Sequence, residues 1–342
     1  MIKSLILATA FLFLFKNGFS QGFEDSLVES FSTFTVYLEN KSIVLKNGTL
    51  ANQIDYGSGF FVNYNYYMYL VTAKHVAKKI NSGATITFYG NSSSPSTIKI
   101  DSLVNDKVEW TFNEKSDVAV LPIKPTSVLF KDTLFQAIPL DFFYDTLVAP
   151  LRRLEIVLLG FPLRLGIEKY FSPISTSTKT ASRLIDLRNP ETDSLETFFL
   201  VDAPSIPGNS GGPAMTIPVL PSVRGYFYGV RDSLSCVGLV HGVIGNFAAI
   251  VPSKFIVETV KKTPRFSGRI KFYHSNGKIW SEREYENGFI KEVLYNMGKT
   301  GKPQDKGTIK NGTGTVNYYT EDGRLYVIEV YENGKVKEVK KL

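Results

Sequence analysis

Gly208-Asn209-Ser210-Gly211-Gly212-Pro213 is the stretch on which the reading of this chain turns. Glycines on both sides of a serine open backbone conformations closed to residues that carry a side chain. Such a loop can aim the N–H groups of Gly208 and Ser210 at one point beside the serine oxygen. Donors placed where charge develops are what an acyl-transfer transition state requires. A lone Gly-Ser-Gly is most often a linker or a turn. Six consecutive positions of this character are far more specific, provided a histidine and an acid lie upstream in suitable settings.

Both are present. An apolar run from Tyr66 to Val71 reads as a buried strand and passes into a short helical stretch, Ala73 to Ile80, which places His75 at the strand's end. Asp117 heads a second apolar strand, Ser116-Asp117-Val118-Ala119-Val120-Leu121. Asp101, Asp106 and Asp132 are rival acids, but none heads so continuous an apolar run. The order His75, Asp117, Ser210 is one of several that produce the same acid–base–nucleophile geometry.

Four segments together resemble the trypsin-like serine peptidases, above all their bacterial high-temperature-requirement branch. They are Gly57-Ser58-Gly59-Phe60, Thr72 to His75, Ser116 to Leu121, and Val201 to Pro207 leading into the serine loop. Leu159-Gly160-Phe161-Pro162 and Ala249 to Ser253 are weaker echoes, and the likeness spans roughly residues 30 to 262. It implies a mainly β fold of two six-stranded antiparallel β-barrels, chymotrypsin-like, with His75, Asp117 and Ser210 catalytic and Gly208 and Ser210 forming the oxyanion hole. By the same likeness Pro204, six before the serine, floors the substrate pocket, and the strand Gly238 to Val243 forms a wall through Val240, His241 and Val243. Pro204 offers no carboxylate for a basic substrate residue. The branch implies small or medium apolar residues there, whereas glutamate-specific relatives place a histidine on this strand. A one-residue slip reverses a strand side chain, so His241 keeps three readings: pocket wall, partner of Asp117, or core. Digestive members carry an aspartate before the serine that pairs with a freshly cut N-terminus; Asn209 is uncharged, so no activating cleavage beyond signal removal is expected.

The 342 residues are 43% hydrophobic, enough for a sizeable core, and 25 Phe and 18 Tyr favour strands. Residues 1–20 read as an export signal: Lys3, an apolar run from Leu5 to Phe15 too short to span a bilayer, and Gly18-Phe19-Ser20 before the cut. A periplasmic or extracellular location follows. Cys236 is the only cysteine, sits in a buried-strand pattern and permits no internal disulfide. No His/Cys cluster has metal-ligand spacing, and no cofactor is expected. Nothing resembles a nucleic-acid-binding module.

Thr263-Pro264-Arg265 follows a predicted helix, Ser253 to Lys262, and divides a peptidase domain at 21–262 from a second domain at 266–341. There the sequence echoes itself. Tyr285-Glu286-Asn287-Gly288 returns 46 residues later as Tyr331-Glu332-Asn333-Gly334, Tyr273 returns as Tyr319, and Asn311-Gly312 falls between. Asn-Gly between alternating residues is a strong hairpin signal, and short hairpin units that bury no face alone read as a stacked array. These units resemble MORN-type repeats, which implies a binding or spacing module. Tyr273, Tyr285, Tyr319 and Tyr331 are expected to pack between repeats. From Lys261 to Leu342 there are 17 Lys and Arg against 10 Asp and Glu, so the formal net charge of +7 resides here. That charge suits a surface or polymer ligand. The function this implies is an exported serine endopeptidase acting on protein or peptide substrates; the alternative is a catalytically silent relative that binds a partner.

Overall fold

The structure, a computed structural model, describes residues 28–46, 49–65, 67–90, 94–104, 108–124, 136–188, 195–216 and 234–342. The export segment, Asp106 and Asp132 lie outside them. Among the described residues no helix is long and apolar enough to cross a membrane.

The fold is mainly β. The first sheet comprises β1 (Thr35–Lys46), β2 (Thr49–Tyr64), β3 (Tyr67–Thr72), β4 (Thr85–Tyr89), β5 (Pro95–Lys99), β6 (Thr111–Phe112), β7 (Ala119–Ile123) and β8 (Ile138–Pro139). Its order is β5-β4-β1-β2-β3-β7-β6, with β8 pairing parallel to β2. The second sheet comprises β9 (Glu155–Gly160), β10 (Ile174–Lys179), β11 (Ile185–Arg188), β12 (Leu195–Val201), β13 (Pro213–Thr216), β14 (Cys236–Ile244) and β15 (Phe247–Pro252). It runs β10-β9-β13-β14-β15-β12-β11. Among the described residues, neither sheet's end strands pair to close a ring.

One hydrophobic core joins the two sheets. Phe60, Val71 and Val120 of the first pack in the same cluster as Leu159, Leu239 and Val251 of the second, all at most 1% exposed. Cys236 belongs to it, and burial pushes its thiol up to about 12, as befits packing rather than reactivity. A short helix α1 (Lys74–Ala77) follows β3 directly. A longer one, α2 (Ser253–Lys262), buries Phe255, Ile256 and Val260. It lies against β14 and β15 of the second sheet and also against β6 and β7 of the first. Asn113, four residues before Asp117, explains the extra contact: its Nδ2 donates to Thr259 Oγ1 at 2.9 Å.

Beyond α2 come β16 (Gly268–Tyr273), β17 (Ile279–Glu286), β18 (Phe289–Met297) and β19 (Pro303–Gln304) in one sheet. A second holds β20 (Gly314–Tyr319), β21 (Leu325–Glu332) and β22 (Lys335–Lys341). The turns carry the repeat: Asn287-Gly288, Asn311-Gly312 and Asn333-Gly334 all have two consecutive positive φ angles, 50° and 79°, 49° and 77°, 52° and 74°. That pair is what the mirror-image hairpin turn needs. The turns also stack, since Gly312 N–H donates to the Lys291 carbonyl and Gly334 N–H to that of Gly312. Between them Ile290, Val293, Ile309, Val316 and Tyr331 form a small core that Tyr285 joins. Tyr273 departs from expectation at 46% exposed, and the Tyr319 hydroxyl donates to the Asp305 carbonyl. Both lie where the two small sheets face each other rather than in that core.

A sandwich of rings joins the C-terminal repeats to the first sheet. The Arg265 guanidinium lies 4.8 Å from the Tyr67 ring centre and 5.3 Å from that of Phe289. Gly288 passes so close that a Cβ there would meet the Tyr67 ring at 2.3 Å. At Gly277 φ is similarly positive, at 81°, but the space is open. Gly288→Ala should therefore lower the urea midpoint more than Gly277→Ala, which suffers only backbone strain of about 1–3 kcal/mol. Equal losses would mean that the Tyr67 contact contributes nothing to stability.

Candidate active site

His75 stands in the first turn after β3, whose last residues Leu70 to Thr72 are wholly buried. Asp117 is presented just before β7 and is 4% exposed. Antiparallel pairing of β3 with β7 brings the two together, with Thr72 opposite Ala119. Their contacts are two: the His75 backbone N–H donates to Asp117 Oδ1 at 2.9 Å, and the ring Nδ1 lies 2.7 Å from Oδ2. A proton on Nδ1 satisfies the carboxylate and leaves Nε2 as the basic nitrogen.

Ser210 reaches this pair from the second sheet. Its carbonyl accepts from Ser58 N–H at 2.9 Å, and the Ser58 carbonyl accepts from Thr72 Oγ1 at 2.6 Å, so the serine loop is tied to the strand that leads to His75. Gly211 has φ +88°, and a Cβ there would lie 2.2 Å from the Ser58 carbonyl oxygen. Only glycine permits that approach.

The two amides expected to hold an oxyanion are aimed by what holds their carbonyls. In a trans peptide the C=O and the following N–H point in opposite directions. The Pro207 carbonyl accepts from Leu163 N–H at 2.8 Å, and that of Asn209 from Gly212 N–H at 2.9 Å. The N–H groups of Gly208 and Ser210 are thereby turned away from those partners. Gly208 itself, at φ +105°, has no room for a side chain: a Cβ would stand 2.2 Å from the Phe161 carbonyl oxygen. Ser58 Oγ closes the arrangement, donating to the Gly208 carbonyl at 2.6 Å and accepting from Phe161 N–H at 3.0 Å. Leu163 and Arg164 both have positive φ, 51° and 63°. The bend is held by Arg164, which pairs with Glu39 at 2.8 Å and donates to the Tyr37 hydroxyl at 3.1 Å. Burial works against a charged Glu39, yet its hydrogen bonds with Lys41 and Tyr37 and the Arg164 charge hold it below the usual carboxylate range.

His241 takes the second of its three readings. Its Nδ1 lies 2.6 Å from Asp117 Oδ2, the oxygen that His75 also uses. The cause is a β-bulge: in the β14–β15 ladder Val240 faces Ile250 and Gly242 faces Ala249, so His241 is the extra residue. A bulge leaves one residue unpaired in the ladder, bends the strand and re-aims that residue's side chain. Phe198 of β12 packs on the imidazole with ring centres 4.9 Å apart. The His241 carbonyl in turn accepts from Ser210 Oγ at 2.9 Å. One residue therefore touches the nucleophile with its backbone and the acid with its side chain.

Two of the expected pocket residues need correction. Val240 is fully buried in a core cluster with Ile156 and Phe199, so it lines no pocket. Its backbone fixes the serine loop instead, N–H to the Gly212 carbonyl and C=O from Gly211 N–H. His241 leaves the pocket wall for Asp117, for the bulge just described. Pro204 and Val243 are exposed, Val243 at 56%. Asn209 is buried, and its N–H donates to the Ile206 carbonyl. Donor atoms of His75, Asp117 and His241 lie within 4.8 Å of one another, a grouping that sequence spacing did not disclose. A metal ion could use Asp117 Oδ2 and both Nδ1 atoms only by displacing the two hydrogen bonds they share.

Burial alone would raise the Asp117 carboxyl. Hydrogen bonds from His241 and His75, with the attraction of either imidazolium, outweigh it and hold the group well below the usual carboxylate range. Burial disfavours a charged His241, but the bond to Asp117, its charge and that of Glu196 win, and the imidazole is raised. Sequence reasoning missed Phe198, Glu196, Glu39 and Arg164, none of which sits in a motif.

Residues 57–217 match the trypsin-like peptidase domain, and that span holds His75, Asp117 and Ser210. Among solved structures the chain is similar to the MamO protease domain from Magnetospirillum magneticum in its apo form, at 13% identity and a TM-score of 0.44, covering 68% of this chain and 97% of that one. It is likewise similar to Deg5, at 17% identity and a TM-score of 0.43, covering 72% and 96%. No curated protein matches the sequence.

A histidine whose folded-state pKa is raised adds stability that is complete below its unfolded value, about 6.5, and disappears as pH rises through the folded value. His241→Gln should accordingly destabilise the protein more at pH 6 than at pH 9 in urea unfolding. A loss independent of pH would show that the His241–Asp117 contact carries no charge coupling.

Proposed function

We propose that the protein is an exported serine endopeptidase working through an acyl-enzyme. The observation that supports this most is the convergence of the three residues: His75 is held by Asp117 through its backbone N–H and its ring Nδ1, and the Ser210 loop is tied by Ser58 to the strand that leads to His75. In the reaction His75 takes the Ser210 proton as the oxygen attacks the scissile carbonyl and returns it to the leaving amine. Asp117 orients His75 and stabilises its cation. The Gly208 and Ser210 amides receive the oxyanion; one such donor is worth about 10²–10³ in rate. The cleaved position takes small or medium apolar residues, because Pro204 supplies no carboxylate and His241 is committed to Asp117.

The repeats at 266–341, which we read as MORN-type, extend the enzyme with a basic surface suited to an anionic surface or polymer. A second reading has one observation in its favour: the Ser210 hydroxyl donates to the His241 carbonyl. A silent relative would keep the serine so engaged and bind without cleaving.

A fluorophosphonate probe should label the wild type, and Ser210→Ala and His75→Ala should each lose casein hydrolysis while keeping their circular dichroism. Wild type that is neither labelled nor active on casein would establish the silent reading, and activity within about tenfold of wild type in either variant would overturn the triad, since a lost triad member ordinarily removes far more. Hydrolysis should persist in excess chelator. Loss restored by added metal would place an ion at His75, Asp117 and His241.

A further inference from the structure

β1 and β2 leave the first sheet together. Beyond Glu39 β1 pairs only with β2, and β2 finds other neighbours only from Gly59 onward. Among the described residues, 41–46 and 49–54 therefore stand as a two-stranded ribbon. Alternation puts Ile43 and Leu45 on one face, and the register sets Leu45 opposite Leu50, Ile43 opposite Asn52 and Lys41 opposite Ile54. Ile43 and Leu45 are each 69% exposed, Leu50 72% and Ile54 37%. The smaller Ser42, Val44 and Ala51 of the other face are half-buried. The larger apolar side chains thus meet water, the reverse of an ordinary half-buried sheet. The charges beside them are already matched: Glu39 pairs with Lys41 at 2.9 Å and with Arg164 at 2.8 Å.

A two-stranded ribbon is marginal in water by itself, and a contiguous exposed apolar patch marks a place where something binds. Its size restricts the partner. Four aliphatic side chains of this kind offer on the order of 300–400 Å², whereas a stable complex buries roughly 800 Å² on each side. The face is too small to hold a second copy of the chain alone, and it suits a partner gripped elsewhere at the same time. The candidate active site is that second grip. Tyr56 follows Ile54 on the same face, and a Cβ on Gly208 would stand 3.1 Å from its ring. The exposed Leu163 bridges the two: its N–H donates to the Pro207 carbonyl, and the next residue, Arg164, is the one paired with Glu39. At a strand rise of about 3.3 Å per residue, the face runs outward from Tyr56 to Leu50 for about 20 Å.

We propose that this ribbon is an exosite for the chain being cleaved, its outer face taking an extended apolar segment of the protein substrate while another part of that chain lies at Ser210. The proposal rests on the proteolytic reading. Its partner class is unfolded polypeptide, because a folded protein keeps most of its large apolar side chains inside.

The test uses the full chain carrying Ser210→Ala, so that no peptide is consumed, and reads fluorescence anisotropy. Two fluorescein-labelled peptides share the centre Ala-Ala-Val-Ala and carry tails of about eight residues on both sides. In one peptide Leu alternates with Ser along the tails, and in the other Ser stands throughout. The Leu-tailed peptide should bind at least about tenfold more tightly, which corresponds to covering about one leucine. Adding Leu45→Ser and Leu50→Ser together should bring the two peptides within about twofold. If that variant changes its circular dichroism, Ile43→Ser on the same face takes its place and should lower the preference in the same direction. Equal binding on the unaltered ribbon, or a preference that survives the ribbon variants, overturns the proposal. So does a dimer in sedimentation velocity at about 1–50 μM that Leu45→Ser with Leu50→Ser dissolves, since the face would then belong to a second copy. Casein hydrolysis by the wild type reports separately on the proteolytic reading. Hydrolysis without a peptide preference overturns the exosite alone, and preference without hydrolysis overturns the proteolytic reading while leaving the ribbon its ligand.

Discussion

A single buried carboxylate holds the candidate active site together. Asp117 accepts three N–H groups: the backbone and ring of His75, and the ring of His241. Two of these come from the first sheet and one from the second. A carboxylate this deeply buried is tolerable only when its charge is met by several donors, so the two sheets cannot separate without exposing or stranding it. The same bonds fix the ring of His75 and leave its outer nitrogen basic. Geometry and ionisation thus have a common origin.

Around this hub the serine loop is held mainly through its own backbone groups. The Ser58 hydroxyl and the Leu163 amide each take one carbonyl of the loop, Val240 takes two of its groups, and the Gly208 and Ser210 amides point where their neighbours' carbonyls do not. Leu163 is placed by a left-handed bend that residues with side chains rarely adopt. The bend is sustained by the Arg164–Glu39–Tyr37 contacts, which reach across to β1. Strain next to chemistry is therefore offset by an ion pair on the other sheet.

Much of this was legible in the chain itself, and the boundary of legibility has a physical cause. Ser210 and its glycines announced themselves because so tight an approach to Ser58 demands glycine. His75 and Asp117 stood at the ends of apolar runs that could only be buried strands. The helix from Ser253 to Lys262 and the Asn-Gly turns appear where periodicity and turn chemistry put them. What could not be read is anything that depends on register. Alternation along Gly238 to Val243 gave no sign of the bulge at His241, and one extra residue decided between pocket and acid partner. Val240 was misplaced for the same reason. Glu39, Arg164 and Phe198 meet the site only through tertiary packing, and no local pattern marks such residues.

The last strand of the array has a consequence for association. The turns stack through Gly312 N–H on the Lys291 carbonyl and Gly334 N–H on that of Gly312, and β22 lies at the edge of the second small sheet with every residue exposed. A bare edge of this kind is a template on which another molecule's strand could add, and repetition would draw the chains into fibres. β22 carries Lys335, Lys337, Lys340 and Lys341 in seven residues. Bringing two such edges together would set these lysines, two of them paired with Glu332 and Glu338, against their counterparts, which disfavours edge-to-edge addition. Part of the positive charge that sequence composition assigns to this segment thereby protects solubility, whatever ligand the rest attracts.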